Sequence, residues 1–139
     1  MCHALRVTLL RFKALPGEPI VDQLVFAAQK SFLSGEFSPG QAFPSVRTLA
    51  AELKIHPNTA HKAVQQLIQS RWLEARPGLH TVVAEQPIAR ASERRRLLLQ
   101  DVERLVVDAK RVGISLHELV QGISGQWSHI DQQAAERRK

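Results

Sequence analysis

The sequence predicts a mainly α-helical chain with one small β-hairpin, built as an N-terminal domain followed by a two-helix appendage. Three observations carry this. Apolar residues return at helical spacing in separate stretches along the chain. Turn formers separate the first three of these stretches, as in "GEFSPGQAFPS". Finally, "WLEA", "RPGL" and "HTVVAE" read in succession as strand, tight turn and strand.

Residues 5 to 12, "LRVTLLRF", place Leu5, Val7 and Leu9 at period two, the mark of a short half-buried strand. From Ile20 the positions Ile20, Leu24, Ala27, Ala28 and Phe32 define a first helix over about 20 to 34, opened by Pro19 and stopped by Gly35. Ser45 is a good N-cap for a short second helix over about 46 to 53, striped by Val46, Leu49, Ala50 and Leu53. Pro57 suits the first turn of a third helix, where its missing N–H costs nothing. That helix spans about 57 to 71, with Ala60, Val64, Leu67, Ile68 and Arg71 on one side.

After the hairpin the composition shifts. Leu98, Val102, Leu105, Ala109 and Val112 step by four and three along a helix of about 90 to 112, a coiled-coil-like seam that Gly113 ends. Ser115 and Glu118 form a capping box for a further helix bearing Leu116, Leu119, Val120 and Ile123. The tail "DQQAAERRK" has no stripe and is expected to fray. The domains expected are therefore residues 1–86, a helical segment over 87–130, and a tail over 131–139. Two helices cannot enclose their own apolar seam, so either a second copy of the chain covers it or the long helix folds back on the first domain; the second copy is the cheaper supplier.

The chain has 139 residues, 44% of them apolar, which is enough for a core. Nineteen Lys and Arg against 13 Asp and Glu leave a formal charge of +6, which favours polyanionic partners or solubility. The single cysteine, Cys2, excludes an internal disulfide and a cysteine-rich zinc module, and fits the cytosol. Arg6 and Arg11 break up the apolar opening, so no signal sequence is expected, and no stretch reaches the ~18 apolar residues of a membrane span. Catalysis finds no foothold. His3, His56, His61, His80, His117 and His129 form no ligand pair at i and i+4, and "HELVQ" lacks the second histidine of a zinc-peptidase helix. No phosphate loop, dinucleotide glycine pattern or nucleophile elbow is present, so neither metal nor cofactor is expected.

The third helix is the informative one. At 100° per residue it gathers Ala60, Ala63, Val64, Leu67 and Ile68 on one arc and Asn58, Lys62, Gln65, Gln66 and Gln69 on the other. Amides can pair bidentately with adenine edges and a lysine can reach guanine or phosphate, so the second arc suits a major groove; a plain solvated face is the alternative. Helix, short helix, brief turn, polar-faced helix and basic-tipped hairpin is the order of a winged helix-turn-helix. In that arrangement Arg47 and Arg76 lie where phosphates pass.

"PIVDQL", "SGEFSPGQAFPSVRTLAAEL", "HPNTAHKAV" and "RPGLHTVV" together resemble the GntR family of bacterial transcription regulators, and the two-helix C-terminal half is similar to its YtrA-type subfamily. The likeness runs from about residue 19 to residue 123. It implies a dimeric, sequence-specific binder of double-stranded DNA, usually a repressor. Position by position it implies DNA contacts at Arg47, at Asn58 and Thr59, at Lys62, and at Arg76 and Gly78 in the wing. His56 departs from the commoner small N-cap. His80 stands where the wing often has a second glycine, which leaves the wing's path into the minor groove open, although a histidine can itself approach DNA. His61 falls at the groove's edge, and Gln65 and Gln66 complete the candidate set.

Residues 41 to 85 hold five basic and three acidic side chains, and residues 86 to 112 hold seven and four. Attraction to DNA is thus moderate for one chain, and doubling by dimerisation together with matched base contacts is expected to supply the rest. The rival reading is a winged-helix module that binds protein, against which the absence of aromatic anchors on the third helix counts. An RNA-binding variant is weaker, with aromatics at 5% and no Tyr. The fifty or so residues after the wing are too few to enclose a metabolite, so an effector, which the sequence does not identify, would need a crevice at the dimer interface.

Overall fold

The computed structural model describes residues 12–85 and 90–137. The strand expected over residues 5 to 12 falls outside them, save Phe12 at its end. The chain divides into two units, residues 1–86 with 130–139, and residues 87–129.

In the first unit α1 (Ile20–Leu33), α2 (Val46–Leu53) and α3 (Pro57–Gln69) are followed by a hairpin of β1 (Leu73–Glu74) and β2 (Val82–Val83). These are the expected elements, with one shift: α3 closes at Gln69, so that Ser70 is its C-cap and Arg71 already lies outside it. Ser45 caps α2 as its position suggests, its hydroxyl accepting from the Thr48 N–H at 3.1 Å.

Leu24 and Ala28 of α1, Leu49 and Ala50 of α2, and Ala60, Ala63, Val64 and Leu67 of α3 form one buried cluster with Leu73 and Val83 of the hairpin. Phe37 and Phe43, from the loop between α1 and α2, complete it. Alanines at 60 and 63 let α3 approach its neighbours closely, and aromatics fill the wider space beside them. Phe32 is the hub: its ring centroid lies 5.9 Å from Phe37, 5.7 Å from Phe43 and 5.8 Å from Trp72. Such rings dominate the burial of a small core.

The loop between α1 and α2 does more than its turn residues suggest. Its backbone pairs with the hairpin's second strand: the Gly40 N–H donates to the Val83 carbonyl at 2.7 Å, the Val83 N–H to Gln41 at 2.9 Å, and the Phe43 N–H to Thr81 at 2.8 Å. With Leu73 opposite Val83 and Ala42 bridged to Val82, β2 is held from both sides. That satisfies its backbone groups and ties the hairpin to the helices.

In the second unit, α4 (Ala91–Arg96) passes through a π-helical segment, Leu97–Asp101, into α5 (Val102–Arg111). The Val102 N–H donates to the Leu97 carbonyl, the i→i−5 bond of that wider turn. The stretch expected as one uniform helix is thus helical throughout but locally unwound. Ser115 and Glu118 close the expected capping box, with Ser115 N–H to Glu118 Oε2 at 3.0 Å and Glu118 N–H to Ser115 Oγ at 3.2 Å. The helix that follows, α6 (Leu116–Arg137), continues past residue 130 to Arg137, into the segment expected to fray. Gln132, Gln133, Ala134, Ala135 and Glu136 are good helix formers without a breaker, so a stripe is not needed to keep them helical.

Candidate nucleic-acid interface

The brief connection from α2 to α3 decides what α3 can present. Pro57 takes the first helical position, and His56 before it is the N-cap, its Nδ1 accepting from the Asn58 N–H at 3.1 Å. The His56 carbonyl also takes the Thr59 and Ala60 N–H groups at 3.0 and 3.2 Å. The histidine therefore does the work of the small polar residue commoner at that place. His56→Ala is expected to destabilise the domain by about 1 kcal/mol, and His56→Asn to restore it. Equal urea midpoints for His56→Ala and the natural chain would mean that the cap contributes nothing.

From that fixed start the two arcs of α3 separate cleanly. Ala60, Ala63, Val64 and Leu67 are buried, while Asn58, His61, Lys62, Gln65, Gln66 and Gln69 are exposed and Thr59 is half-buried. Asn58, Lys62, Gln65 and Gln66 thus share the open face of one helix. His61 joins them.

Arg47 lies in the first turn of α2, exposed, two residues beyond the Ser45 cap that anchors that turn. In the hairpin Pro77 and Gly78 make the tight turn, with the Leu79 N–H donating to the Arg76 carbonyl at 3.0 Å and Gly78 at φ +70°. A left-handed residue after proline is the signature of a type II turn, which favours glycine. Arg76, Gly78 and His80 are all exposed around this tip. Arg76 comes within 4.0 Å of Glu74, an exposed pair so loose that a phosphate could displace the carboxylate.

The pairing of residues 40–43 with β2 was not foreseen from the sequence. The resemblance put His56 at the N-cap only as a departure from the commoner small residue; that it bonds there follows from its place directly before Pro57, where a side chain meets free N–H groups whatever its type.

In the second unit the expected seam is largely open. Ala109 is buried and Leu119 half-buried, whereas Leu98, Val102, Leu105, Val112, Leu116, Val120 and Ile123 are exposed, as are Leu97, Leu99 and Trp127.

A family model described as "Bacterial regulatory proteins, gntR family" matches residues 21–83, the span from α1 to the end of the hairpin. The HTH-type transcriptional repressor YtrA of Bacillus subtilis is 30% identical over 110 residues, covering 76% of this chain and 85% of that protein. A solved structure described as a transcriptional antiterminator from Listeria monocytogenes shares the fold with a TM-score of 0.73 at 21% identity, over 84% of this chain and 89% of the other. YtrA from Sulfolobus acidocaldarius, described as a GntR-family transcription factor, superposes with a TM-score of 0.50 at 24% identity, over 86% and 99%.

Proposed function

This chain belongs to the GntR family of bacterial transcriptional regulators, in its YtrA-type branch, and on that premise we propose that it represses transcription by occupying a palindromic operator as a homodimer in the cytoplasm. It is a regulator with a DNA-binding helix-turn-helix, not an enzyme. The observation that best supports the proposal is the division of α3 into a buried apolar arc and an exposed arc of Asn58, Lys62, Gln65 and Gln66. Those side chains match the hydrogen-bonding edges of a major groove, with the amides suited to adenine and Lys62 to guanine or a phosphate. Arg47, at the start of α2, and Arg76, at the wing, would set register on the backbone.

The homodimer rests on the exposed apolar positions of α4 to α6, which need covering in water. A second copy would place two recognition helices on one duplex, doubling both the charge and the base contacts. The similar Bacillus protein is named a repressor, and simple occupancy of a promoter suffices for that outcome.

Selection from a random duplex pool is expected to return an inverted repeat. On that operator, Arg47→Ala and Lys62→Ala should each weaken binding by ~1–3 kcal/mol while sedimentation still reports a dimer. Unchanged affinity in both variants would mean that another surface faces DNA. Binding that ignored salt would instead favour a winged-helix module for protein partners.

A further inference from the structure

Four helices of this chain end in the same hydrogen-bonding pattern, in which a residue two or three positions past the helix donates its N–H to the carbonyl five residues before it. The bonds are Glu36 to the Ser31 carbonyl at 3.0 Å, Ile55 to Ala50 at 3.1 Å, Trp72 to Leu67 at 2.9 Å, and Ile114 to Ala109 at 2.9 Å. This closure needs a left-handed residue just before the donor. At the ends of α1 and α5 it is glycine, Gly35 at φ +80° and Gly113 at φ +79°. At the ends of α2 and α3, the two helices of the helix-turn-helix, it is a basic residue instead: Lys54 at φ +55° and Arg71 at φ +64°. They are the non-glycine residues with positive φ among those described.

A side chain in that conformation crowds its own backbone, so each position would be more stable as glycine. Both residues are exposed, and among the described residues neither charged group has a hydrogen-bond or ion-pair partner. Attraction between a cation and the helix C-terminus is available to both equally. Their positions on the helix-turn-helix differ. Lys54 stands two residues before the His56 cap and four before Asn58, at the N-terminal end of α3, the end that enters the groove when such a motif docks. Arg71 stands at the opposite end of a 13-residue helix, roughly 20 Å along its axis.

We propose that Lys54 is a DNA-backbone contact, its ammonium neutralising a phosphate beside the entry point of α3, retained there in place of a more stable glycine. This rests on the proposed DNA reading and adds to it a contact outside the helix faces. Arg71 supplies the internal control, since it has the same charge and the same strained backbone without the access.

The test compares the natural chain with Lys54→Gly, Lys54→Gln and Arg71→Gly on the selected operator and on unrelated duplex, each titrated across salt concentrations, with thermal unfolding measured alongside. Lys54→Gly should unfold a few degrees higher, of the order of 4 °C, yet bind both duplexes more weakly. The slope of log K against log salt should fall by about one per subunit. Lys54→Gln, which keeps the crowded side chain and drops the charge, should lose the same slope without the thermal gain. Arg71→Gly should gain thermal stability and keep its slope. A Lys54→Gly slope equal to that of the natural chain, or an equal loss in Arg71→Gly, overturns the assignment of Lys54 while leaving the DNA reading intact. If the natural chain itself binds neither duplex, both the reading and this contact fall together.

Discussion

Leu105→Asp is expected to leave the chain monomeric and to cut operator affinity at least ~100-fold, the largest change in DNA binding among these predictions. Leu105 lies midway along the exposed stripe, between Val102 and the buried Ala109, and is itself 41% exposed in the single chain. In a dimer that exposure would vanish, and a carboxylate there would be buried without a partner. The affinity loss would follow without any change at the DNA face. Two half-sites held by one dimer bind as a linked pair, and separated monomers lose the effective concentration that linkage provides. Sedimentation and operator titration on the same sample read both effects. A Leu105→Asp chain that remains dimeric would move the interface elsewhere. One that turns monomeric but keeps its affinity would show that pairing is not how the operator is held.

Much of the DNA-facing half was legible from residue order because its signals are local. Pro57, the alternation of small apolar and amide residues along α3, and the Pro77-Gly78 turn each act within a few residues of themselves, and α3 begins where they predict. Ser45 and the Ser115–Glu118 box are readable for the same reason. What stayed hidden depends on partners distant in sequence or on geometry that composition does not encode. The pairing of residues 40–43 with β2, three backbone hydrogen bonds around the Ala42–Val82 bridge, joins a stretch whose proline and glycine read as loop to a strand about forty residues away. The π-helical segment at Leu97–Asp101 alters the bonding of the turn while the apolar spacing from Leu98 to Val102 still reads as an ordinary helical step. The left-handed residues at 54 and 71 were invisible because the usual marker, glycine, is missing from both. Phe26, at 60% exposure with the Lys30 ammonium 5.0 Å from its ring centre, likewise departs from the core placement of most aromatics here.

The separation of stability from recognition on α3 leads to the second large effect. Leu67 is 1% exposed and belongs to the cluster that also holds Leu24, Leu49 and Phe37. Leu67→Ala would open a cavity there and should destabilise the domain by ~2–5 kcal/mol. For a domain of this size that lowers the unfolding temperature by roughly 10 °C or more. Gln65, two residues earlier, is exposed on the other arc, and Gln65→Ala should change stability by less than about 0.5 kcal/mol. The expected behaviour on DNA is the reverse. At a temperature where both variants are folded, Leu67→Ala should bind the operator nearly as the natural chain does, because its loss is a loss of packing. Gln65→Ala should bind more weakly and relax the preference at one base pair, because an amide that pairs with a base edge carries sequence information and a buried leucine does not. Calorimetry with operator titration at matched folded fraction separates the two. If Gln65→Ala unfolded early, or Leu67→Ala altered base preference while fully folded, the two faces of α3 would not divide these tasks.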